Sequence, residues 1–142
     1  MEELVALLMV FTTLFMTGVV WVVQISVYPA LRYFESEGFE RRHDHYRNRI
    51  ALLVTIPMTL ELFVAIYAVL FPLDWLGRIP AAVLLAMLVG VWASTLLIQV
   101  PQHERLSIRK DESAIDSLVR GNWVRTVLWT MRSIVVFAYL MQ

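Results

Sequence analysis

Two charged residues, Glu61 and Arg132, lie deep inside otherwise apolar stretches of this sequence. An ionisable side chain in such a place is either paired or functional. The polar residues around them recur at steps of three or four. One stretch carries Thr17, Trp21, Gln24 and Tyr28, followed by Pro29, and the next carries His43, Tyr46, Pro57 and Glu61. A third carries Trp92, Thr95, Gln99 and His103, and a fourth carries Asn122, Arg125, Trp129 and Arg132. That spacing places each set on one helical face, so four polar stripes can share one interior.

These residue types allow acid–base chemistry on a bound molecule. Glu61 or His103 would remove a proton, and Arg125 or Arg132 would stabilise the anion formed, since cationic donors in a dry site favour developing negative charge. Trp21, Trp92 and Trp129 would wall a planar ligand, with Gln24, Tyr28, Gln99 and Asn122 as polar contacts. A plainer reading accounts for the same residues. Glu61 and Arg132, opposite in sign and similar in depth, form an ion pair that fixes helix register, with Gln24 and Gln99 bonding across helices.

The chain has no cysteine, which removes disulfides, thiolate catalysis and cysteine-bound metals. Its histidines are His43, His45 and His103. By helical phase His43 shares the Glu61 face while His45 points away, so His43 and His103 would meet at the pocket mouth. With Asp44 or Glu104 they are the residues a metal or a haem would use, although their spacing matches no named metal motif. The expectation is a site that works without a cofactor, with solvated interfacial histidines.

The elements that must position these side chains are long apolar segments. Of the 142 residues, 59% are hydrophobic, and mean hydropathy is +0.67. Apolar runs extend over 4–30, 50–71, 79–100 and 123–141, each of the roughly 20 residues that a bilayer core requires. The first follows Glu2 and Glu3 without a basic flank, unlike a cleaved signal peptide. The expected fold is all-α, a single domain forming an up-down antiparallel four-helix bundle in a membrane.

Charge sets the expected orientation. Of the 12 Lys and Arg residues, Arg32, Arg41, Arg42, Arg47 and Arg49 fall in or beside the first connection. Arg105, Arg109, Lys110, Arg120 and Arg125 fall in or beside the third, whereas the tight Pro72–Arg78 hairpin has only Arg78. The positive-inside rule puts both long loops in the cytoplasm and both termini outside, in an N-out, C-out arrangement suited to a bacterial inner (plasma) membrane. Gln24, Gln99 and Arg125 then lie within about 12 Å of the cytoplasmic interface, and Glu61 and Arg132 about 10 to 18 Å deep.

Helical spacing of Phe39, His43, Tyr46, Ile50 and Leu53 after Gly38 predicts that the second helix starts near residue 39 and projects from the membrane. Asp111 to Val119, acidic at its start and followed by Arg120-Gly121, reads as a separate short interfacial helix. Ala82, Ala86, Gly90 and Ser94 form a small-residue stripe, offering close approach to a neighbouring helix or to a second copy in a homodimer. A formal net charge of zero gives no footprint for nucleic acid. The expected partners are the lipid bilayer and an apolar small molecule.

Four patterns carry a resemblance: Gln24-x-x-x-Tyr28-Pro29, Pro57-x-x-x-Glu61, Gln99-x-Pro101-x-His103, and Asn122-Trp123-x-Arg125-x-x-x-Trp129-x-x-Arg132. They look like patterns of small four-helix membrane proteins, and the chain resembles the anthrone-oxygenase-like family over nearly its whole length. The resemblance implies oxidation of a polycyclic or quinone-type aromatic, without a bound cofactor, by polar residues of the helix interior. Three classes of function stay open. The first is a membrane oxidoreductase, oxygenase or binding protein with a pocket in the cytoplasmic half of the bundle. The second is a structural or assembly subunit. The third is a small transporter or proton path, against which the noncytoplasmic half of each stripe offers few polar groups.

Overall fold

The computed structural model describes residues 1–142, and every regular element in it is helical. Four long helices run Glu2–Tyr33 (α1), Phe39–Leu70 (α2), Arg78–Ile108 (α3) and Glu112–Leu140 (α4). The first three are long and apolar enough to cross a membrane; α4, which carries Arg125 and Arg132, is not among them. Each helix packs against its neighbours in sequence, and α4 closes the ring against α1. The result is an up-down four-helix arrangement.

The helices outrun the apolar segments at one end. As the spacing predicts, α2 starts at Phe39, preceded by Gly38 in the left-handed conformation (φ 66°). Arg42 Nη2 donates to the Glu35 and Glu37 carbonyls at 2.7 Å each and ties the preceding turn down. Asp111 caps α4 by accepting from the Ser113 and Ala114 amides at 2.9 and 3.2 Å. The Ser113 hydroxyl, those amides and Arg105 hold the Asp111 carboxyl down at about 2.

No separate interfacial helix exists over 111–119, because α4 runs unbroken through Gly121. The physical reason is close packing: a Cβ at Gly121 would sit 2.5 Å from Ile98 Cγ2. This glycine lets α3 and α4 touch, where the sequence suggests a helix stop.

Helices α1 and α3 share a second irregularity. Each has a π-turn, over Val23–Val27 and Thr95–Gln99, and each π-turn ends one residue before an X-Pro step, Tyr28-Pro29 and Val100-Pro101. Proline has no amide proton and its ring crowds the carbonyl four residues back. The wider π-turn relieves that conflict without ending the helix.

Core side chains form three clusters along the bundle. Met9, Ala68, Leu76 and Leu84 belong to the one nearest the Pro72–Gly77 hairpin, Met16, Met58, Leu88 and Trp129 to the middle one, and Phe39, Leu106, Ile115 and Leu118 to the one at the opposite end. The outer faces are also apolar, with Phe11, Leu52, Ile56, Phe63, Leu97 and Val127 exposed. An apolar exterior around a bundle is what lipid contact requires.

A candidate binding site at the basic end of the bundle

Glu61 and Arg132 do form a pair, and it is closed. Arg132 Nη2 and Nε lie 3.0 and 3.1 Å from Glu61 Oε1, while the Trp129 indole donates to Oε2 at 2.9 Å. The Thr13 hydroxyl donates to Oε1 at 2.8 Å, and Arg132 Nη1 donates to the Leu84 carbonyl. Both charged side chains are fully buried. A buried charge is tolerable only with this degree of satisfaction. Neither residue lines the cavity described below.

Gln24 and Asn122 form a second interhelical clasp. Asn122 Nδ2 donates to Gln24 Oε1 at 3.0 Å, and Gln24 Nε2 donates to the Val119 carbonyl at 3.1 Å, joining α1 to α4. Gln99, with its amide nitrogen toward the Ser94 carbonyl, accepts from the Asn122 amide at 3.2 Å and joins α3 to α4. Both glutamines belong to the π-turns, which bring their side chains against α4.

Beside this clasp lies a cavity of about 360 Å³, lined from all four helices and mainly by α2 and α3. Val20, Val23, Val54, Met58, Trp92 and Val100 supply apolar surface, and Tyr28, Gln99, His103 and Arg125 supply polar groups. Ala51, Thr55, Leu96 and Val100 are exposed at its outer edge, so it opens sideways between α2 and α3. Its volume and lining suit a small ligand, for which pockets run from about 300 to 1,000 Å³.

At the mouth the histidines meet. His43 Nε2 and His103 Nδ1 are 3.0 Å apart, the Tyr28 hydroxyl is 3.2 Å from His103 Nε2, and His43 Nδ1 is 3.5 Å from Asp44 Oδ1. One set of neutral tautomers fits the first two contacts: Tyr28 donates to His103 and His103 to His43, which leaves the His43 Nδ1–H turned toward Asp44 without a hydrogen bond. Both imidazoles lie beyond the apolar segments 50–71 and 79–100. Burial lowers the His43 pKa, and burial with the nearby His43, Arg47 and Arg125 charges lowers His103 to about 3. The two imidazoles face each other, but no group of three or more His, Asp or Glu side chains converges, so Asp44 and Glu104 complete no ligand set.

Of the sequence-predicted site residues, the cavity gathers Tyr28, Trp92, Gln99, His103 and Arg125. Trp129 is buried against Glu61 instead. Trp21 is not an interior wall: it is 38% exposed, donates to Thr130 Oγ1 at 3.1 Å and meets Trp123 edge-on. It lies off the inward line of Thr13, Thr17, Val20 and Gln24, toward α4. Arg47 and Thr55 line the cavity and were not singled out by sequence. Arg47 follows His43 by one helical turn, and that phase is the signal that finds it. Gly90 and Ser94 face the chain's own α4 and Gln99, while Ala82 and Ala86 are exposed.

Comparison with family models, curated proteins and solved structures gives no match for this chain.

Proposed function

We propose that this chain is a four-span integral membrane protein, N-out and C-out, whose cavity binds a small apolar or aromatic molecule of quinone type drawn from the surrounding lipid. The observation that carries this reading is the sideways-opening cavity of about 360 Å³, apolar along most of its lining, with Tyr28, Gln99, His103 and Arg125 converging in it. If the molecule is also transformed, His103 is the group placed to exchange a proton with it, through the hydrogen bonds to Tyr28 and His43. Oxidation of the kind implied by the anthrone-oxygenase-like resemblance belongs to this same reading.

Equilibrium dialysis of a naphthoquinone against the purified protein tests it. Saturable binding is expected, and Val54→Trp, which fills the cavity, should weaken it at least tenfold, while Phe63→Trp on the outer face should not. Equal binding by all three proteins, each still folded by its thermal transition, would refute the site.

A second reading, as a structural or assembly subunit, is favoured by the closed Glu61–Arg132 pair, which uses the deepest charges for internal contacts alone. Wild-type levels of function in a folded cavity-filled variant would favour it.

A further inference from the structure

Two arginines are buried in this bundle, and the chain treats them differently. Arg132 has a carboxylate, an indole-bound neighbour and a backbone carbonyl around it. Arg125 is 6% exposed, lines the cavity, forms no ion pair, and its Nε has no acceptor. Its surroundings are neutral: the face of Trp129, with the ring centroid 5.4 Å from Cζ, and the phenols of Tyr28 and Tyr46. Glu104 lines the same cavity but is exposed at its mouth and is not paired with Arg125. The indole N–H of Trp92, whose side chain also lines the cavity, lacks an acceptor as well. A guanidinium taken out of water without a counter-ion is strongly disfavoured, and a chain that satisfies Arg132 so fully has left Arg125 unsatisfied beside a cavity.

We infer that the missing counter-ion comes with the ligand: the molecule bound in this cavity carries an anionic group, a carboxylate, phosphate or ionised phenol, seated on Arg125. Its apolar body lies against Val20, Val23, Val54 and Met58. Arginine suits this task because its planar fork donates to two anion oxygens at once and keeps its charge when buried. The Tyr28 phenol lies beside Arg125 at the same end of the cavity. This inference rests on the cavity being a binding site and adds the chemical class of what enters it. Anthracene carboxylic acid and an anionic lipid headgroup both meet the requirement.

The test compares anthracene carboxylic acid with its methyl ester by equilibrium dialysis, at neutral pH, on the full chain in phosphatidylcholine nanodiscs. The acid should bind at least tenfold more tightly than the ester. Arg125→Gln should abolish that preference, and Arg125→Lys should keep part of it, which covers the case in which the glutamine variant does not fold. Repeating the titration with phosphatidylglycerol in the disc separates the sources. Competition identifies a lipid headgroup as the anion, and its absence identifies a free acid. Equal affinity for acid and ester overturns the anionic ligand and leaves the cavity as a site for neutral molecules. Binding of neither, with Val54→Trp indistinguishable from wild type, overturns the cavity reading and this inference together.

Discussion

Trp129 and Arg132, one turn apart on α4, hold the two oxygens of the same carboxylate on α2: the indole takes Glu61 Oε2 at 2.9 Å and the guanidinium takes Oε1 at 3.0 Å. Thr13 adds α1 and the Leu84 carbonyl adds α3, so one buried carboxylate–guanidinium pair touches all four helices. Removing one partner leaves the other charge buried and alone, which typically costs about 3 to 5 kcal/mol, whereas replacing both by apolar residues is often close to neutral.

The expected result is therefore a large loss of thermal stability in detergent for Glu61→Leu and for Arg132→Met, and a much smaller loss for the double variant. Additive losses in the double variant would show that the two side chains do not act as a pair.

This pair was legible in the sequence from sign and depth alone. The positions of α1, α2 and α3 were legible too, because an apolar run of bilayer length is itself the signature of a helix. The start of α2 at Phe39 was legible from its phase. Other features depend on contacts that no local pattern encodes. Gly121 reads as a stop until Ile98 is placed beside it. Trp21 reads as inward because it is four residues from Thr17, yet the drift of a helix against that step carries it to the α1–α4 groove, where Thr130 and Trp123 receive it. The π-turns before Pro29 and Pro101 conceal their effect in the same way, since one extra residue per turn rotates the rest of the helix out of phase.

Gly121 supports a packing prediction. Alanine is a better helix former than glycine by about 1 kcal/mol, so the substitution should stabilise an open helical site. Gly18, where a Cβ would meet nothing within 4 Å, is such a site. Gly121→Ala should instead destabilise by about 1 to 3 kcal/mol through overpacking against Ile98, and Ile98→Ala should recover part of that loss in the double variant. Thermal scans of the four proteins decide it, and a Gly121→Ala variant at least as stable as Gly18→Ala would contradict the close approach.

The histidine pair makes stability depend on pH in a definite direction. His103 sits at about 3 in the fold against about 6.5 when unfolded, so between those values the unfolded chain binds more protons. Its contribution is present in full above about 6.5 and is lost progressively as pH falls below that value. His43, also lowered by burial, acts in the same sense, and Arg47 and Arg125 face the pair. The melting temperature should drop between pH 7 and pH 5, and His103→Gln should flatten that slope. A slope that is the same in both proteins would mean that the imidazoles are solvated in the fold.

The orientation and the number of spans can be tested together, because a chain without cysteine accepts single reporters. The case for α4 as a fourth span is that its arginines point inward: Arg132 is closed off by Glu61 and Arg125 packs on Trp129. The opposite face presents Val124, Val127, Met131, Ile134 and Phe137, all exposed and apolar. A helix with that outer surface would expose hydrocarbon to water if it stayed outside the bilayer. Ser36→Cys and Ser113→Cys, in or beside the two arginine-rich connections, should react with a membrane-impermeant maleimide only after cells are opened, whereas Asp74→Cys in the short hairpin should react in intact cells. Gln142→Cys decides α4. With both termini outside, the even number of spans requires Gln142→Cys and Asp74→Cys to lie on opposite ends of α3 and α4 taken together, hence on the same side, and both to label in intact cells. Labelling of Gln142→Cys only after lysis would leave three spans and place Arg125 and Arg132 on a helix that never crosses.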